Sequence, residues 1–371
     1  MRSFCFFVLA VAGLGAAFAL GTVGCNEKGS LPEPLSDNQA DDPCDPGGGS
    51  TQTGSAPPVD AGATPLQLPA GAGGIGFDDM RFSATLAQLL IPAGRTGNVD
   101  LVDPSTEEVA PIGGFSTDAT YSGDTTFGVT SADEGNDIVY ATDRTAGTLS
   151  TIDPRLKKVT ATLTLAATPG YVRYVAPTNE VWVSEPGAKQ IEIVALMGAD
   201  GGTGLSHAAT VSVAGAESLE IDAANGLAFT NTASSTLAID VTSRMVTGTW
   251  ANGCTTARGI AIDPQQRWVI VACNEGKLVV LSEQTGSMLG TAKTGAGVDR
   301  IAYDGSRARA YVPSPAAASM GVVVLNPKGV PTLAGSVQAT SDAHCAATPG
   351  GGQVFVCSPA KGQVVFLYDP F

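Results

Sequence analysis

Seven short β-branched runs, each ending at a turn-forming position, recur between residues 99 and 371 at a nearly constant spacing. They are 99–103 (VDLVD), 149–153 (LSTID), 191–195 (IEIVA), 237–240 (LAID), 278–282 (LVVLS), 322–326 (VVVLN) and 364–368 (VVFLY). From the last residue of one to the last of the next, the steps are 50, 42, 45, 42, 44 and 42 residues. One such strand cannot bury both of its faces alone, and a period of roughly 40 to 50 residues leaves room for four short strands and their turns. That combination predicts an all-β, seven-bladed β-propeller of four-stranded antiparallel blades. The repeat constrains architecture tightly and chemistry hardly at all.

The 46 glycines and 23 prolines suit a chain that must reverse direction many times. With 43% apolar residues, the chain can fill a large core. Its 20 Lys and Arg against 35 Asp and Glu leave a net charge of −15, which repels phosphate backbones and argues against nucleic acid as a partner.

Residues 1–24 hold one basic residue, Arg2, and then an uncharged apolar run over 4–20, the pattern of a secretory signal. Two processing routes remain open. Residues 22–25 (TVGC) resemble a lipoprotein box that would lipidate Cys25, although Thr22 stands where Leu is usual; residues 17–19 (AFA) offer an ordinary small-x-small site. Cleavage after Ala19 leaves six cysteines, an even number, whereas lipidation leaves Cys44 unpaired. An acidic, Gly/Ser/Pro-rich stretch over 25–62 follows and reads as a solvated tether, which favours the lipid anchor. The chain is therefore expected to be exported, as a bacterial outer-membrane, periplasmic or cell-surface lipoprotein or otherwise secreted, touching membrane only through the lipid. A β-propeller domain over 63–371, expected to be monomeric, completes the organisation.

Blade five displays its strands most clearly, lettered A to D from the channel outward. Residues 259–262 (GIAI) form strand A, 268–271 (WVIV) strand B, 278–281 (LVVL) strand C and 288–292 (MLGTA) strand D, with turns between them. The chain stops just after the seventh strand C. Residues 64–71 (TPLQLPAG) match the strand D pattern and precede the first strand A, expected near Asp79, so they are predicted to pair with the last blade and complete the ring.

Residues 260–263 (IAID), 310–312 (AYV), 139–142 (VYAT) and 238–242 (AIDVT) resemble the YVTN-type β-propeller repeat family over about residues 63–371. The repeat departs from a strict consensus at Ala195 and Ser282, where Asp or Asn is missing. The resemblance implies the propeller fold and little about activity, because members are mostly exported or surface proteins of unassigned biochemistry.

Cys345 and Cys357 flank a hairpin that turns at 349–352 (PGGG), a pairing that sets Ala346 opposite Val356 and Ala347 opposite Phe355. Cross-strand neighbours in an exported protein are read as a disulfide, and Cys254 with Cys273 similarly across blade five. Neither pair has CxxC spacing or zinc-ligand spacing with histidine.

Aligning strand A between blades places Tyr171, Glu217, Arg258, Asp299 and His344 five residues before the turn, with steps of 46, 41, 41 and 45. Blades one and two offer Asp78 or Asp79, and Thr126 or Phe127. These positions are expected to ring the mouth of the central channel, where propeller ligands converge. A solvated opening carries such charges too, and Arg258 would neutralise Glu217 and Asp299. His344 is the one candidate for a general base, while His207 is expected in an exposed loop. No phosphate loop, HExxH or GxSxG elbow occurs, and Trp182, Trp250 and Trp268 read as blade residues.

Two functions follow. The first is a non-enzymatic binding module for a small ligand, a glycan or a surface protein, with no cofactor. The alternative resembles the gluconolactonase and regucalcin propellers, with Glu217 and Asp299 as weak Ca²⁺ ligands; Arg258 beside them is electrostatically awkward for a cation. A quinone-dependent dehydrogenase is weaker still.

Overall fold

In the computed structural model, residues 56–197 and 204–371 are described. The apolar leader, Cys25, Cys44 and the acidic cluster of the tether lie outside them.

Seven four-stranded antiparallel sheets form the fold, a seven-bladed β-propeller. Every run of the repeat is the third strand of its blade, from Asn98–Val102 in the first to Gln363–Tyr368 in the seventh. Its terminal Asp or Asn accepts backbone N–H bonds from the following turn: Asp103 from Ser105 at 2.7 Å, Asp153 from Arg155 at 2.8 Å, Asp240 from Ser243 at 2.6 Å and Asn326 from Lys328 at 2.9 Å. A short side-chain oxygen that mimics a backbone turn is why these residue types mark the strand end.

Burial follows position in the blade. Second strands such as Trp268–Cys273 are buried at every residue, whereas the outermost Lys158–Thr164 alternates exposed and half-buried. A strand between two neighbouring blades needs apolar side chains on both faces; an outer strand needs them on one.

An apolar cluster fills each seam. Leu90 and Leu101 of blade one meet Ala132 and Val139 of blade two, and Phe229 of blade four meets Val269 and Val271 of blade five. At the last seam Ile75, Phe77 and Leu89 pack on Phe355 and Val364.

Thr64–Gln67 pairs antiparallel with Gln363–Tyr368 as the fourth strand of the seventh sheet, Thr64 opposite Phe366 and Gln67 opposite Gln363. Val59, within the stretch read as tether, bridges Val337 of blade six. The first inner strand is Arg81–Ser83, two residues later than Asp79.

Cys254 and Cys273 form a disulfide with Cα atoms 5.4 Å apart. Cys345 and Cys357 do not: the register around them is the expected one, Ala346 opposite Val356 and Ala347 opposite Phe355, yet both thiols are free. The Cys357 sulfur instead accepts the Cys345 backbone N–H at 3.1 Å and lies 3.9 Å from His344 Nδ1. His207 is exposed as expected but stands on the strand Leu205–Ser212 rather than in a loop, with Nδ1 on the buried Glu192 carboxylate.

Candidate functional site

One position of strand A faces the axis in every blade, and it is identified by its partner, the third residue of strand B. The pairs are Arg81 with Leu90, Asp133 with Tyr140, Arg173 with Trp182, Glu220 with Phe229, Ala261 with Ile270, Ala302 with Tyr311 and Ala347 with Phe355. Four consecutive blades therefore present charges of alternating sign, and three present alanine. Two residues earlier, one pleat along the channel, stand Asp79, Ser131, Tyr171 and Arg300.

These residues close into an ionic plug. Arg173 Nη1 lies 2.7 Å from Asp79 and its Nη2 3.1 Å from Glu220; Arg300 Nη2 reaches Asp79 at 3.0 Å and Glu220 at 2.9 Å. Arg81 joins Asp133 at 3.1 Å and Glu220 at 2.8 Å, so one side chain spans from blade one to blade four. Ser131 donates to Asp79 at 2.7 Å, and the guanidinium carbons of Arg173 and Arg300 sit 5.7 and 5.1 Å from the Tyr171 ring centre. Three arginines balance three carboxylates. Burial alone would raise the carboxyl groups, but the arginines hold Asp79 and Glu220 below the usual carboxylate range. Arg300 Nε and Nη1 have no hydrogen-bond partner.

Two cavities, of about 210 and 270 Å³, open over the plug toward the C-terminal ends of the inner strands. They share Arg81 and Phe82, and between them they touch the inner region of all seven blades. Arg81, Glu220, Arg173 and Arg300 form the floor, with Phe82, Tyr174 and Tyr303 on the wall. We refer to this space as the cup.

The residues expected from the sequence stand at the opposite, N-terminal ends of the inner strands, and none of them lines the cup. Glu217 and Arg258 pair with each other at 2.6 Å. Tyr171 falls one register step from the other four, because it lies two residues before the axial Arg173 whereas Glu217, Arg258, Asp299 and His344 lie three before theirs. It turns its hydroxyl toward Asp78 at 3.4 Å. Asp78 is pushed up to about 8 by burial and then by the neighbouring Asp299, with Arg144 opposing at 3.6 Å. In blade two the axial residues are Ser131 and Asp133; Thr126 instead closes a turn on Asp124 at 2.7 Å. His344 sets Nε2 on the carbonyl of Phe77 at 2.7 Å and Nδ1 on that of Asp342 at 2.8 Å. The carboxylates proposed for calcium are thus committed elsewhere, Glu217 to Arg258 and Asp299 to Asp78.

Arg81, Arg173, Glu220 and Arg300 were not singled out by the sequence reading. The available signal was Arg, Asp, Arg, Glu on four successive inner strands at one distance from the next strand, visible only once the strand A to strand B register is fixed.

No protein-family model matches the sequence, and no curated protein does. Among solved structures, the chain is similar to one described as "Crystal Structure of Mitotic Checkpoint Complex", with a TM-score of 0.66 and 13% identity over 92% of this chain and 99% of that one. It is also similar to a chain of hydrazine synthase from Kuenenia stuttgartiensis, with a TM-score of 0.64 and 11% identity over 81% of this chain and 96% of that one. At these identities the likeness concerns the propeller fold alone.

Proposed function

We propose that the chain is an exported, lipid-anchored binding module whose cup takes a compact polar ligand, or the terminal group of a larger one such as a glycan. The carrying observation is the plug itself: it blocks the channel and leaves a cup to which all seven blades contribute, with paired guanidinium and carboxylate groups at its base. Cavities of about 210 and 270 Å³ fall at or below the small end of ligand pockets. The aromatic wall suits a ring face, and the floor suits hydroxyl or carboxylate groups.

Binding rather than catalysis follows from the electrostatics. Glu220 and Asp79 are held ionised by three arginines and are poorly placed to take up a proton. Support for export comes from the apolar run over 4–20, Cys25 and the acidic stretch behind it, together with a disulfide in blade five. The YVTN-type motifs point the same way.

The test is a thermal-shift screen of the full chain against sugars, small carboxylic acids and nucleosides. A ligand of the cup should lose its stabilisation in Ala261→Trp, which fills the cup, and keep it in Glu217→Gln at the other mouth. The reverse pattern would return the site to the ring of Glu217, Arg258 and Asp299. Lipidation is read separately, as palmitate incorporation that disappears in Cys25→Ala.

A further inference from the structure

His344 places both ring nitrogens on carbonyl oxygens, Nδ1 on Asp342 at 2.8 Å and Nε2 on Phe77 at 2.7 Å. A carbonyl only accepts, so both nitrogens must carry hydrogen and the ring is an imidazolium. A half-buried cation is stabilised by an anion nearby. The group positioned to supply it is the Cys357 sulfur, 3.9 Å from Nδ1 and itself accepting the Cys345 N–H at 3.1 Å. Cys345 stands directly across the hairpin, and the ligand atoms of His344, Cys345 and Cys357 lie within 4.8 Å of one another.

The other titratable groups nearby do not compete: Tyr121, pushed up by burial and then by Asp342 and Cys357, stays a neutral phenol. Asp342 spends its carboxylate on the Ala360 N–H at 2.7 Å, and Asp299 and Asp78 lie on the side of Cys345. The titration tendencies agree: burial raises both thiols, but the Cys345 contact and His344 bring Cys357 well below the usual thiol, while Cys345 remains well above it. A metal reading fits less well, because His344 has no lone pair left for an ion.

We propose that Cys357 and Cys345 are an exchange-active dithiol that is oxidised to a disulfide by a low-molecular-weight disulfide, with Cys357 as the attacking sulfur and His344 as its counter-cation and proton source. Both sulfurs are buried, which restricts the partner to a small one. The Cys357 thiolate attacks one sulfur of R–S–S–R, forming Cys357–S–S–R and expelling R–S⁻, which takes the His344 proton. Cys345 then passes its proton to His344 and attacks the Cys357 sulfur, and the second R–S⁻ leaves with that proton. Two electrons and two protons move from the protein to R–S–S–R, giving two R–SH, one protein disulfide and a neutral imidazole. A neutral His344 must release one of its carbonyls. The change is felt at the channel, because the His344 carbonyl also accepts the Asp299 and Arg300 N–H groups at 3.0 Å and Phe77 precedes Asp78.

One tryptic peptide, residues 329–361, contains both cysteines and no other, so the reaction is read at this site alone in the full chain. The mildly reduced native protein is treated with glutathione disulfide, quenched with acid, alkylated and digested. The expected product is that peptide lighter by two hydrogens, with Cys345→Ser trapping the glutathione adduct on Cys357. The wild-type rate should be nearly flat from weakly acidic to alkaline pH, and His344→Asn should slow it about tenfold near neutrality, a gap that closes at alkaline pH. Any of three results overturns the proposal: reaction only in denaturant, adduct formation at Cys345 in Cys357→Ser as fast as at Cys357 in Cys345→Ser, or a wild-type rate that climbs through neutrality as an ordinary thiol does. The last reading needs no variant to fold.

Discussion

Arg173 is fully buried, and its charge is carried by Asp79 at 2.7 Å and Glu220 at 3.1 Å. Removing one partner of such a group leaves the other charge uncompensated in a poor solvent, so Arg173→Ala is expected to cost about 3–5 kcal/mol in urea unfolding. Arg173→Lys should rescue little, because a single ammonium cannot reproduce the forked contacts to both carboxylates. Asp78 has the opposite logic. Its folded-state pKa of about 8 lies above the unfolded value, so the stability it contributes is present in acid and is lost as pH rises through about 8. Asp100 and Glu283, each raised to about 7 chiefly by burial, act with the same sign. Thermal melts should therefore show stability falling between about pH 4 and pH 8, and Asp78→Asn should flatten that fall, stabilising the protein by on the order of 2 kcal/mol at the alkaline end. A wild-type melt that improves steadily over this range would sink the assignment. Asp78 is among the positions that aligning strand A offers, but Arg173 is not. Arg173 is the one charge of Val172–Val175 and Glu220 one of two in Glu220–Asp222, and their meeting across the ring is a long-range event.

Third strands were legible because two local signals coincide in them, a β-branched run and a side chain that folds back on the next turn, as Asp153 and Asp240 do. Inner strands were harder to place. Glu220–Asp222 and Ala302–Asp304 are three residues long, and register shifts interrupt others, between Ala257 and Ile260 and between Val129 and Ser131. An extra residue in a strand turns the following side chains to the other face. Tyr171 seemed equivalent to Glu217 for another reason: Val175 stands where Asp222, Asp263 and Asp304 end the inner strands of the next three blades, so the turn of blade three is read one residue late. The cysteines divide on the same scale. Cys254–Cys273 ties the segment leading into one strand to the end of its neighbour, and opening it with Cys254→Ser plus Cys273→Ser should cost about 3 kcal/mol by chemical denaturation, as expected for a loop of this size. Cys345 and Cys357 share a comparable cross-strand placement, but His344 gives one sulfur a counter-charge and so a different use.

At the scale of the whole molecule, a propeller has one seam for each blade, and six of the seven join blades that are consecutive in sequence. The seventh brings Phe355 and Val364 against Phe77 and Leu89, and the strand that accompanies it comes from the other end of the described chain. Leu68 is buried there, and Gln67 Nε2 donates to the Gly362 carbonyl at 2.9 Å. Burying one leucine side chain is worth about 2–3 kcal/mol, and the pairing of Thr64–Gln67 with Gln363–Tyr368 adds backbone bonds of about 1 kcal/mol each. Deleting residues 63–70 removes both contributions and leaves Gln363–Tyr368 as an open edge that can recruit a second copy. The truncated chain should melt at least about 10 °C lower and form dimers or larger species on a sizing column. Because Val59 is itself bonded to blade six, the deletion also shortens the connection to that anchor. Leu68→Ala separates the two effects, lowering stability by about 2–4 kcal/mol with the connection intact. If the truncated protein melts with the full chain and stays monomeric, the seventh seam holds without its fourth strand and the ring does not depend on joining its two ends.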